Sequence, residues 1–178
     1  MFKSIKPFAH ASSVYNIDIE FYTLLGLKYI FLDLDNTLDS YKKLVPSPRA
    51  FELVGRLREV GITPIIISNN HSERVINYAK VLNVECLCFA MKPFAKKIKK
   101  MMKEKGMNPD EVMLIGDQMM TDVKAGNRAK IKVVLTDKLV KEDQPTTHFN
   151  RLFERPFRSY YTKHHKFREW RDIINGEN

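Results

Sequence analysis

The chain has 178 residues, 44% of them hydrophobic, which suits a single unit with a substantial buried core. No apolar run approaches the roughly 20 residues that cross a bilayer, and the start MFKSIKPFAH lacks the apolar stretch of a secretion signal, so a cytoplasmic protein not integral to a membrane is expected. The net charge of +9 is concentrated in 96–105, with six Lys against one Glu, and in 151–171, with seven Lys or Arg against two Glu, an excess that favours nucleic acid, an acidic membrane surface or a phosphorylated substrate.

In chain order, an amphipathic segment comes first, with Asp18 as a helix cap and Gly26 as a helix stop, expected to pack on a sheet edge. The run 27–34 (LKYIFLDL) reads as a buried parallel strand that delivers acidic side chains to its C-terminal end. Further strands are expected over 62–68, 84–89, 111–115 and 131–135, with helices over 48–60, 71–82, 94–105 and 118–129 between them. Such alternation implies right-handed βαβ units and an α/β three-layer sandwich around a mainly parallel sheet. Cys86 and Cys88, two apart in a strand, read as buried thiols rather than a disulfide or zinc site. After Asp137 comes a polar stretch, then a basic, aromatic tail predicted to turn helical from about Arg151, with an interruption near Pro156.

Open α/β sheets bind ligands beyond the carboxyl ends of their strands. The residues there are Asp33, Asp35 and Thr37 after the first core strand, Ser68, Asn69 and Asn70 after the second, Lys92 after the third, and Asp117 and Asp122 after the fourth. Phosphoryl transfer needs an oxygen nucleophile, a metal to neutralise phosphate charge, donors for the equatorial oxygens and a proton donor for the leaving group. Clustered carboxylates repel one another without a cation, and an all-oxygen set suits Mg²⁺. His71, His148, His164 and His165 show no metal-site spacing.

The run Asp33-Leu34-Asp35-Asn36-Thr37-Leu38 resembles the first motif, D-x-D-x-T, of haloacid dehalogenase superfamily phosphatases. Ser68, Lys92 and Gly116-Asp117-(x4)-Asp122 resemble the second to fourth motifs in order, over 27–135. The wording DLDNTL, SNN, KP, GDQ-x-x-TDV-x-x-GNR and T-x-FNRLFER further resembles the bacterial YqeG family of class IIIA phosphatases, which is similar to mitochondrial phosphatidylglycerophosphate phosphatases. Asp39 departs from the apolar residue expected after the first motif and puts the local flap contact in doubt.

The resemblance implies a Rossmann-like core over about 27–136, with 1–26 and 151–178 as extensions of one domain. It implies Asp33 as nucleophile and metal ligand, Asp35 as acid and base with its carbonyl on the metal, and Thr37 as support for the loop. Ser68 and the amides near Asn69 would bind phosphoryl oxygens, Lys92 would offset charge, and Asp117 and Asp122 would complete a Mg²⁺ site, Asp122 directly or through Lys92 or water. Asn127 and Arg128 are expected only to pin a loop. With 30 residues between Thr37 and Ser68 and 23 between Ser68 and Lys92, no cap domain fits, and an open site suits a lipid headgroup, a phosphoprotein or a nucleic-acid end. The favoured function is Mg²⁺-dependent hydrolysis of phosphatidylglycerophosphate. In that reading the tail and the 96–105 helix make peripheral contact with anionic membrane at its inner face, the alternative for the tail being a helix docked on the core with one solvated basic face. Two alternatives stay open: a phosphatase acting on a phosphoprotein, nucleotide or other soluble phosphate, and a basic nucleic-acid- or ribosome-binding module with residual hydrolysis.

Overall fold

The computed structural model describes residues 5–140, 154, 156–163 and 167–176. Among them, six strands form one parallel sheet: β1 (Ala9–Ala11), β2 (Tyr29–Leu32), β3 (Thr63–Ile67), β4 (Glu85–Leu87), β5 (Val112–Gly116) and β6 (Lys132–Thr136), in the order β1-β6-β5-β2-β3-β4. The helices are α1 (Ile19–Leu24), α2 (Pro48–Glu59), α3 (Glu73–Val81), α4 (Lys96–Glu104), α5 (Lys124–Ala129), α6 (156–163) and α7 (Trp170–Ile174). The expected α/β architecture is therefore present, and α2 and α3 fill the two gaps in which a cap domain would have had to lie.

Alternate residues of each strand enter opposite faces of the sheet, because side chains in a strand have a period of two. Ile30, Leu32, Ile66, Met113 and Ile115 meet α1, α2, α3 and Trp170 of α7 on one face. Phe31, Ile65, Ile67, Leu114 and Val133 meet α4, α5 and Tyr161 of α6 on the other. Each central strand is thus apolar along its whole length, which is why 27–34 and 62–68 read as buried parallel strands. Gly126 lets α5 lie on β6, since a Cβ there would overlap Val133 Cγ2.

Four expectations need correction. The N-terminal segment reaches the sheet edge as expected but joins it as β1, with Ala9 opposite Val134; three residues with His10 at the centre carry too little pattern to read as a strand. The helix over 118–129 is split into a π-helical turn, Met119–Val123, followed by α5. Cys86 and Cys88 are half-buried and their sulfurs are joined, because side chains two apart in a strand share a face, with Cα atoms 5.6 Å apart. In the tail, Tyr161 and Trp170 are buried in the two cores instead of facing outward as interfacial rings, while Arg151 and Phe153 lie outside the described residues. Among the described residues, no helix is long and apolar enough to cross a membrane.

Candidate active site

The chain runs β2, β3, β4 toward one sheet edge and then returns to place β5 on the other side of β2. This reversal opens a crevice between the carboxyl ends of β2 and β5, where open α/β sheets take their ligands. Asp33 continues β2, its amide donating to Ile115 O on β5 at 2.9 Å, and Asp117 follows β5 directly. Asp33, Asp117 and Asp122 are all buried, and one carboxylate oxygen from each lies within 4.8 Å of the others.

Lys92 closes this group. Its Nζ donates to Asp33 Oδ1 at 2.6 Å, to Asp122 Oδ1 at 2.6 Å and to Ile67 O at 3.0 Å, so each of the three ammonium protons has an acceptor. Burial pulls the Lys92 amine down, but the Asp122 and Asp33 carboxylates outweigh it and hold the amine above the ordinary lysine value. Burial pushes the Asp33 carboxyl well above the usual range; Lys92 opposes the rise, and the charges of Asp122 and Asp117 add to it. Three buried carboxylates against one ammonium leave an excess of negative charge, and hard oxygen donors at this spacing could hold a divalent cation.

The loop after β2 is fixed from several directions. Thr37 Oγ1 donates to Asp33 Oδ2 at 3.4 Å, so this hydroxyl reaches the first acid. Asn36 adopts φ of 66°, a conformation asparagine tolerates better than most residues, and its amide donates to Asp39 O at 2.7 Å. The expected flap contact at position 39 proves to be polar: buried Asp39 accepts from Tyr78 Oη at 2.7 Å and from the Ser47 amide at 2.9 Å. An acid tolerates burial there because α3 and the start of α2 supply its donors. Asp35 is half-buried at the mouth, and Arg74 of α3 pairs with its Oδ1.

At the end of β3, Ser68 is buried and its Oγ accepts from the Asn70 amide at 3.1 Å. The Asn69 side chain is not turned toward a ligand. Its Nδ2 donates to Lys92 O at 2.8 Å and its Oδ1 accepts from the Lys92 amide at 2.6 Å, a two-way clamp that sets the turn carrying Lys92. Arg128 holds the same turn by donating to Pro93 O at 2.9 Å, and Asn127 donates to Lys6 O at 3.0 Å, so both pin segments distant in the chain and not only the loop that follows them.

Asp122 is positioned by the π-turn, whose Gln118 amide donates to Asp122 Oδ2 at 3.1 Å. Extra turns of this kind often occur at functional sites, where they re-aim a side chain. Gly116 makes room for it, because a Cβ there would lie 2.7 Å from Asp122 Cβ. From the tail, Arg158 donates to Asp117 O at 3.3 Å and to Thr136 O at 2.9 Å, tying α6 to the site.

Of the strand-end residues singled out in the sequence, Asp33, Thr37, Lys92, Asp117 and Asp122 come together in one buried group, with the Asn69 side chain directed to Lys92. Arg74, Tyr78 and Arg158 escaped sequence reading. An Arg or Tyr on a helix carries no local mark of the loop it will face.

The model of the haloacid dehalogenase-like hydrolase family matches residues 28–136. The probable phosphatase YqeG of Bacillus subtilis (strain 168) is 31% identical over 153 residues, covering 86% of this chain and 89% of that protein. Two solved structures share the fold. A 3-deoxy-D-manno-octulosonate 8-phosphate phosphatase from Moraxella catarrhalis, in complex with magnesium, phosphate and KDO, has a TM-score of 0.50 at 16% identity, covering 81% of this chain and 97% of its own. An uncharacterized protein from Listeria monocytogenes serotype 4b has a TM-score of 0.53 at 16% identity, covering 67% and 85%. The chain therefore belongs to the haloacid dehalogenase-like hydrolases and is an enzyme of the phosphatase type.

Proposed function

We propose that this protein is a Mg²⁺-dependent phosphomonoester hydrolase of class IIIA that works through an aspartyl-phosphate on Asp33, with phosphatidylglycerophosphate as its substrate. It would act as one domain, with 1–26 and 151–178 as extensions. The observation that carries the reading is the buried array in which Asp33, Asp117 and Asp122 converge around the Lys92 ammonium.

Asp33 Oδ attacks phosphorus, the bond from phosphorus to the substrate alcohol breaks, and Asp35 gives its proton to the leaving oxygen. Water then attacks the aspartyl-phosphate, its proton passes to the Asp35 carboxylate, and orthophosphate leaves with Asp33 restored. Lys92 balances charge on Asp33 and the transferring group, while Ser68 Oγ and the amides around Asn69 bind equatorial oxygens. Bound Mg²⁺, held by Asp33, Asp117, the Asp35 carbonyl and Asp122 directly or through water, would supply neutralisation of phosphate charge.

The lipid part of the reading rests on the family resemblance and on the rim of the site. The loop that carries Lys92 exposes Phe89, Met91 and Phe94 at 48%, 44% and 61%. Beside them, Lys96, Lys97 and Lys100 of α4 line one apolar depression with Met91 and Phe94. Rings and lysines together suit the headgroup level of an anionic leaflet, so membrane contact is assigned to this rim, with the tail packed on the core.

The test is phosphate release from phosphatidylglycerophosphate in mixed micelles, with Mg²⁺ and with EDTA, alongside a panel of soluble phosphomonoesters. We expect turnover that requires Mg²⁺, favours the lipid and disappears in Asp33→Asn with folding intact. Near-normal turnover by Asp33→Asn would remove Asp33 as nucleophile, and equal rates on the soluble panel would remove the lipid assignment.

A further inference from the structure

The contact between Arg74 and Asp35 sits awkwardly with the role proposed for Asp35. Arg74 lies in the first turn of α3, its Nη2 pairs with Asp35 Oδ1, and its Nη1 donates to Lys43 O at 3.1 Å. The two side chains are only 13% and 21% exposed, so water screens the pair weakly. One of the two carboxylate oxygens of the proposed acid is therefore held by a guanidinium. Among the described residues, no other acceptor reaches the remaining Arg74 donors.

A guanidinium fork is matched by a carboxylate or a phosphate, which can bind it through two parallel hydrogen bonds. In the role proposed above Asp35 meets the leaving group, so Arg74, paired with Asp35, is within reach of what the leaving alcohol carries. We propose that Arg74 is a specificity-determining and positioning residue: it selects phosphomonoesters whose leaving alcohol bears a second anionic group a few bonds from the scissile oxygen. Binding of that group draws the guanidinium off Asp35 and frees the carboxyl for proton transfer. A substrate without a second anion leaves the pair closed and is turned over poorly. This inference rests on the roles of Asp33 and Asp35 proposed above, but not on the lipid.

Three soluble substrates separate the possibilities: glycerol 3-phosphate, with no second anion; 3-phosphoglycerate, with a carboxylate; and glycerophosphoglycerol phosphate, with a phosphodiester. Charged hydrogen bonds of this kind correspond to roughly 10- to 100-fold in kcat/KM. The wild type is expected to favour one or both anion-bearing substrates by that factor, and the arm that wins names the anion. Arg74→Gln should bring the ratio close to one, through a higher KM for the anion-bearing substrates and a higher kcat for glycerol 3-phosphate, and Arg74→Lys should restore part of it. Equal kcat/KM for all three in the wild type overturns the proposal. So does an equal loss on all three in Arg74→Gln with no recovery in Arg74→Lys, the result of a purely structural role. If phosphatidylglycerophosphate is not cleaved while the soluble ratio and its collapse are seen, the lipid reading fails and this inference stands.

Discussion

Replacing Lys92 with Met keeps most of the side-chain volume and removes the ammonium that Asp33 and Asp122 share at 2.6 Å each. Both carboxylates are buried, so the variant leaves negative charge without its partner, a change that costs about 3–5 kcal/mol in buried pairs. The cost must depend on pH. Asp33 has a folded-state pKa above its unfolded one, so the native state binds the extra proton. Its contribution to stability is full below the ordinary carboxylate range and is lost as pH rises through the raised folded value. Lys92 opposes that rise, so its removal moves the folded value further up and deepens the loss at neutral and alkaline pH. Urea titrations followed by the fluorescence of Trp170, the one tryptophan and a buried one, should therefore show about 3–5 kcal/mol of destabilisation at pH 8, with a deficit that shrinks as pH falls toward the ordinary carboxylate range. A deficit below about 1 kcal/mol that does not change with pH would refute the charge argument, since it would match the loss of an exposed pair.

Two further substitutions test how the site is held. Gly116→Ala forces a methyl against the Asp122 carboxyl; it should destabilise by about 1–3 kcal/mol and lower turnover further by displacing Asp122 from Lys92, so a stable, fully active variant in parallel urea and phosphate-release assays would argue that Asp122 is free to move. Tyr78→Phe removes the hydroxyl that donates to buried Asp39 at 2.7 Å and should cost about 1.5–3 kcal/mol by the same fluorescence titration; a loss near zero would mean that the Ser47 amide and the Arg49 guanidinium satisfy Asp39 without it.

The motif residues were legible because each is the first polar side chain after a run of apolar ones. Asp33 after Phe31 and Leu32, Ser68 after Ile65–Ile67, and Asp117 after Leu114 and Ile115 are local signals, and a parallel sheet turns such positions toward one edge. The support around them was not legible. Asp39 looked like an anomaly beside the first motif until α3 brought Tyr78 to it from 39 residues away. The amides near Asn69 were expected at the substrate, but nothing in the sequence showed that the Asn69 side chain clamps Lys92, 23 residues on. The aromatic tail left membrane contact and docking on the core both open, because rings among lysines look alike whether they meet lipid or a core, and only the placement of Tyr161 and Trp170 in the cores separates the two.

By itself, the sequence determined the alternation of strands and helices, the acids at the strand ends and the absence of room for a cap, since these follow from side-chain periodicity and short-range spacing. Tertiary structure alone decided that β5 lies beside β2, which brings Asp117 and Asp122 to Asp33 across more than 80 residues of chain. It also decided that β1 completes the sheet, that the π-turn re-aims Asp122 and that Arg74 meets Asp35. Such pairings depend on how whole elements pack, and the free energy of a through-space contact leaves no mark on the residues adjacent to either partner.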